Sequence, residues 1–119
     1  MQYTKAMIVI KRVYEPSNPS DGYRILVDRL WPRGVSKEKA KIDVWLKEIA
    51  PSDTLRKRFH HDPVRWEEFK KQYALELQEH EKDIEFIRNK AAAHTVTLLF
   101  AAKNVQYNNA VALKGYLQP

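Results

Sequence analysis

The sequence predicts a single α/β domain over residues 1–119, with a mostly parallel sheet of three to four strands and helices packed on it. The first observation is a pair of apolar runs, Ile25–Val27 and Thr95–Ala101, that are continuous and do not alternate with polar residues. Strands covered by helices on both faces read this way. The second is a long helical stripe between those runs, and the third is the order of the segments, with strands separated by helices. A length of 119 residues and a hydrophobic content of 44% suit one core of ordinary size.

Met7–Val13 (MIVIKRV) is β-branched and apolar and reads as the first strand. The segment that follows, YEPSNPSDG, contains two prolines, two serines and an Asp-Gly pair, which make it a loop. Tyr23–Asp28 is the second strand. Its distance from the first raises a difficulty, because a connection of about nine residues is short for parallel neighbours, which need a dozen or more. If these two strands are adjacent, they are antiparallel. Ser36 can cap a short helix through Lys41, and a weaker strand lies around Asp43–Leu46. Ser52 or Asp53 caps a helix through about His60, with Leu55 and Phe59 four apart on one face.

Asp62-Pro63 is a strong helix start: an acid to cap, a proline at the first helical position, and Glu67 and Glu68 near the positive end of the dipole. From there Trp66, Phe69, Tyr73, Leu77, Ile84, Ile87 and Ala91 form one buried stripe. A straight helix from 63 to 93 would be about 46 Å long at 1.5 Å per residue. A domain of this size is about 35 Å across, so a break is expected within the polar stretch Gln78–Asp83. Thr95–Ala101 is the last strand, AKNVQYNN a polar loop, and Ala110–Leu117 a terminal helix with Asn108 or Asn109 as its cap.

Composition excludes several chemistries. The chain has no cysteine, so disulfides, thiolate nucleophiles and thiolate metal sites are out. It has three glycines, Gly22, Gly34 and Gly115, too few and too far apart for a Walker loop or a G-x-G-x-x-G turn. His60 and His61 are consecutive, so on a helix their side chains diverge by about 100° and offer no metal-ligand spacing. His80 and His94 are isolated. No metal site and no cofactor is therefore expected. No stretch approaches the roughly 20 apolar residues that span a bilayer, and no signal peptide is evident. A cytoplasmic location is the expectation.

The net charge of +6 is concentrated in one half: residues 1–58 carry 13 Lys/Arg against 7 Asp/Glu, and the remainder carries equal numbers of each. This asymmetry favours an anionic partner, either a small molecule bearing phosphate or carboxylate or a nucleic acid; solubility alone would also account for it. Each strand ends in polar residues: Lys11 and Arg12 after the first, Asp28, Arg29 and Arg33 after the second, Lys103 and Asn104 after the last. In a parallel sheet these groups meet on one rim, where open α/β sheets bind their ligands. The terminal helix would start beside it, with Asn108 and Asn109 at its positive end.

Within that rim Arg12, Arg29 and Arg33 carry the forked donors that suit carboxylate or phosphate, and Lys103, Asn104, Asn108 and Asn109 add charge and hydrogen bonds. Asp28 is the acid in a basic site. It is the candidate catalytic residue, as a general base for hydrolase or transferase chemistry, or it orients Arg12 or Arg24; capping the following turn is the structural alternative. Trp31-Pro32 offers a wall for a base or ring, or a plug over the sheet end. Lys37, Lys39, Lys41 and Arg56–Arg58 are basic patches across which a phosphate backbone could lie. An adaptor with no small ligand is a third reading.

The pairing of DGYRILVDRLWPRGVSKEKAKIDVWLKEIAPS with TVTLLFAAKNVQYNNAVALKGYL resembles the domain of unknown function 488 family, in its compact YeaO-like branch. The resemblance covers essentially the whole chain and rests most on VDRLWPRG. It implies an α/β fold with a parallel sheet in which the loop Tyr14–Gly22 replaces a helix of larger relatives, and it makes Val44–Leu46 a genuine strand. Larger relatives tend to carry a cysteine and a glutamate after the last strand and a Cys-His pair opening the final helix. The matching region here holds Phe100, Ala102, Asn108 and Asn109, so thiol chemistry does not carry over.

Overall fold

A computed structural model describes residues 7–59 and 62–118. Among these residues four parallel strands form one sheet: β1 (Met7–Arg12), β2 (Tyr23–Leu26), β3 (Val44–Trp45) and β4 (Thr95–Phe100), in the spatial order β1-β4-β2-β3. The last strand in sequence is thus inserted between the first two. This removes the short-connection difficulty: β1 and β2 are not neighbours, and the loop from Val13 to Gly22 passes across β4 instead of linking adjacent strands. Register follows from the apolar residues, with Ile10 and Ile25 both opposite Leu98.

Among the described residues five α-helices accompany the sheet: α1 (Lys37–Ala40), α2 (Asp53–Phe59), α3 (Trp66–Leu77), α4 (Glu81–Ala93) and α5 (Asn109–Leu117). Ser36 caps α1 by accepting from the Lys39 amide, and Lys41 ends it in the left-handed conformation. Asp62 accepts from the Val64 amide and opens a 3-10 turn at Pro63–Arg65 that leads into α3. The expected break falls at Gln78–His80, a 3-10 turn that separates α3 from α4 in a molecule whose radius of gyration is 14.0 Å. His60 and His61, including the expected end of α2 at His60, lie outside the described residues.

The two faces of the sheet are covered differently. Ile8, Ile25, Val96, Leu98 and Phe100 pack against the buried stripe Phe69, Tyr73, Leu77, Ile84, Ile87 and Ala91 and against Leu113 of α5. Continuous apolarity also led to an expectation of helices on the second face. There Val13, Leu26 and Leu99 are covered instead by Trp31, Val35, Ile42 and Trp45, from the segment between β2 and β3 and from β3 itself. That segment is too short for a full helical layer. Two tryptophans, edge-to-face at 5.5 Å, supply the missing area.

One buried ionic cluster pins the crossing loop. Asp21 accepts from Lys11 Nζ at 3.0 Å and from the Asn18 amide at 3.1 Å, and it pairs with Arg24. Arg24 is 3% exposed and also donates to the Ala40 carbonyl at the end of α1. Burial alone would raise the Asp21 carboxyl, but its cationic and amide donors outweigh burial and hold it below the usual carboxylate range. Next to it, Gly22 has φ +66°, and a Cβ there would lie 2.1 Å from the Thr95 carbonyl oxygen. Gly22→Ala should therefore cost more than about 2 kcal/mol of stability, from strain and clash together. Gly34 also has positive φ, but a Cβ would meet nothing within 4 Å. Gly34→Ala should cost only about 1 kcal/mol. Urea denaturation of the two variants side by side measures the difference, and equal losses would contradict the close approach at Thr95.

Candidate functional site

Because the strands are parallel and β4 is central, β1, β2 and β4 release their chains at the same edge. Between that edge and α2 lies a cavity of about 520 Å³, within the size range of small-molecule sites. One wall is Asp28–Arg33 as it leaves β2, another is Ala101, Ala102 and Asn109 after β4, and the far side is Ala50, Pro51, Asp53 and Arg56. Phe59 and Phe69 contribute apolar surface, and Tyr14 borders the opposite end.

Asp28 joins these parts. Its Oδ2 accepts from the Ala101 amide at 2.8 Å and its Oδ1 from Asn109 Nδ2 at 3.0 Å; the same Asn109 amide group donates to the Val27 carbonyl. The Asp28 backbone carbonyl accepts from Trp45 Nε1 at 2.7 Å. One residue thereby ties the ends of β2 and β4 and the start of α5 to the small-face tryptophans. Burial raises the Asp28 carboxyl above its ordinary 3.8, and the Asn109 and Ala101 donors only partly offset that effect. Tyr73 lies close by, and its hydroxyl donates to the Ile49 carbonyl at 2.7 Å. Burial, with help from Glu76 and Asp28, pushes the phenol upward and keeps it a neutral donor.

The arginines differ in what they hold. Arg29 Nη2 donates to the Ala50 carbonyl at 3.0 Å, while its Nη1 is 4.0 Å from the exposed Glu48. Its Nε is buried and finds no acceptor among the described residues. Arg33 is exposed on the cavity wall; its carbonyl accepts from the Tyr14 hydroxyl, and its guanidinium has no partner among the described residues. Arg56 pairs with Asp53 at 3.3 Å.

Of the residues expected at the rim, Asp28, Arg29, Trp31, Arg33 and Asn109 line the cavity. Arg12 stands behind it: Nε and Nη2 donate to the Ala102 and Ala101 carbonyls, and the guanidinium lies 5.1 Å from the Tyr14 ring centroid. Asn108 is fully buried as the cap of α5, accepting from the Val111 amide, and its own amide donates to the Asn104 carbonyl. The Asn104 side chain accepts from the Gln106 and Tyr107 amides. Lys103 is exposed and does not line the cavity. Trp31 both lines the cavity and packs on the small face, donating to the Val35 carbonyl at 2.8 Å. Sequence reading missed Tyr14 and the α2 residues Asp53 and Arg56, since nothing local to them indicates which way the α2 segment returns.

A family model described as "Inactive DUF488-N3 subclade" matches residues 7–119. The chain belongs to the DUF488 family. It is similar to the protein named YeaO of Escherichia coli K12, with 48% identity over 111 residues that cover 93% of this chain and 96% of the relative. It is also similar to the Mycobacterium bovis protein Mb3100c and the Mycobacterium tuberculosis H37Rv protein Rv3073c, each 38% identical over 104 residues, or 87% of either chain. All three carry the name "Uncharacterized protein". No solved structure matches. Among the described residues of this DUF488 chain, no helix is long and apolar enough to cross a membrane, and no group of His, Asp or Glu could hold a metal ion.

The burial of the Asp28 carboxyl has a measurable pH signature. With the folded pKa raised, the native state keeps this proton to a higher pH than the unfolded chain does. The resulting stability is fully present below about 3.8 and is lost as pH rises through the folded value. The stability of wild type minus that of Asp28→Asn should therefore fall with rising pH across that window and be level on either side. Denaturant midpoints from pH 3.5 upward test this, and a difference that grows with pH would show that the donors outweigh burial.

Proposed function

We propose that this DUF488 chain binds an anionic small molecule, bearing carboxylate or phosphate, in the cavity at the carboxyl ends of its strands. The observation that carries this reading is Arg33, a guanidinium on a concave wall with no partner among the described residues. Arg29 supports it: an N–H buried without an acceptor costs about 1–3 kcal/mol, and such groups in native proteins call for an explanation. The proposed role is binding without turnover. Both oxygens of Asp28 already accept hydrogen bonds that hold the strand ends together, so a proton-transfer role for it would compete with that duty. The description of the matching family as inactive agrees with this.

The rival reading is a nucleic-acid module, favoured by the exposed run Arg56, Lys57 and Arg58 on α2. Thermal unfolding with phosphates, organic acids and short oligonucleotides at two salt concentrations separates the two. A small anion at 100 times its Kd should add about 2.7 kcal/mol of stability, and Arg33→Ala should abolish most of that gain. Stabilisation by oligonucleotides alone, falling steeply with salt, would overturn the small-molecule reading.

A further inference from the structure

We propose that the ligand is a monocarboxylate with an apolar body, its carboxylate on Arg33 and its body directed along the cavity toward Phe59 and Phe69. This rests on the binding reading above and specifies its ligand class. The cations in and around the cavity differ in what already holds them. Toward α2, Arg56 lies on Asp53, and Arg29 faces Glu48 and donates to the Ala50 carbonyl, with only its buried Nε lacking an acceptor among the described residues. At the Tyr14 end stand Arg33, unpartnered, and Arg12, which is directed onto the Ala101 and Ala102 carbonyls. Glu15 accepts from the Arg12 amide and does not line the cavity. Both Asp28 oxygens are held by the Ala101 and Asn109 amides and Arg12 is committed to carbonyls, so among the described residues Arg33 is the lining guanidinium left without a partner.

The head group follows from that free guanidinium. One free guanidinium fork matches one carboxylate bidentately. A phosphate monoester, near −2 at neutral pH, would leave its second charge unpaired beside the buried Asp28. The body follows from the hydrogen-bonding groups already in use. Both protons of the Asn109 amide are spent on Val27 and Asp28, the Ala50 and Pro51 carbonyls accept from Arg29, and the Trp31 N–H is held by Val35. Apart from the buried Arg29 Nε, few donors or acceptors remain to read a sugar or a base, whose polar groups would be buried unpaired at a cost. Phe59, Phe69 and Pro51 instead offer an apolar floor.

The test is calorimetric titration of the full chain with the homologous series from acetate to octanoate, with AMP, inorganic phosphate and octyl phosphate as further arms. Affinity should rise about fourfold per added methylene, the value of one buried CH₂, and the binding heat capacity should become more negative along the series. Octanoate should bind at least tenfold tighter than octyl phosphate or AMP. Arg33→Ala should weaken octanoate at least tenfold, whereas Lys37→Ala, on the exposed surface of α1, should leave it unchanged. A flat series, or AMP or phosphate binding as tightly as octanoate, overturns this ligand class while leaving anion binding intact. If no small anion binds in any arm, both readings fail.

Discussion

The placement of β4 between β1 and β2 is the constraint on which the rest depends. A parallel sheet directs all its strands one way, so a central parallel β4 forces the chain leaving β2 and the chain leaving β4 to emerge side by side. Asp28 then closes the gap between them, accepting from the Ala101 amide on one side and the Asn109 amide on the other. The carboxyl is buried to do this, and burial opposes its charge. The cavity lies at this junction, lined by the chain leaving β2, the chain leaving β4 and the start of α5.

Around that junction the protein separates its cations by duty. Arg24 and Lys11 are spent on Asp21, where they fix the loop that crosses β4. Arg12 supports the backbone of the β4 exit from behind. Arg29 braces the start of α2, and Arg33 is left over. A chain with a formal net charge of +6 can attract anions anywhere on its surface, but only a cation that is both unpaired and on a concave wall can bind one with orientation. This distinction, and not the total charge, supports a specific ligand.

Much of this was legible in the sequence, for identifiable reasons. The continuous apolar runs at Ile25–Val27 and Val96–Phe100 are fully buried, and the stripe from Phe69 to Ala91 lies on the sheet with its break at Gln78–His80, because period and capping chemistry are local signals. The order of strands was not legible. A nine-residue connection forbids parallel neighbours but does not say which strand separates them, and that depends on β4, some seventy residues away in the chain. The same limit governs the rim. That Asp28, Arg29, Arg33 and Asn109 share a cavity follows from strand direction, which composition suggests. That Asn104 and Asn108 are consumed by capping α5 and the turn before it depends on side-chain rotamers that no spacing fixes. The small face, covered by Trp31 and Trp45 where helices were expected, shows the ambiguity of an apolar run: it reports burial and not what does the burying.

The most direct test of a strand-end ligand site is amide chemical-shift mapping on ¹⁵N-labelled protein during titration with an organic carboxylate. Perturbations should gather on the Trp31 indole, Arg33, Ala101, Ala102 and the Asn109 side-chain amide, leaving Lys37–Lys41 and the outer face of α4 unmoved. Shifts that spread over the exposed lysines and arginines, with Ala101 and Asn109 silent, would contradict the account.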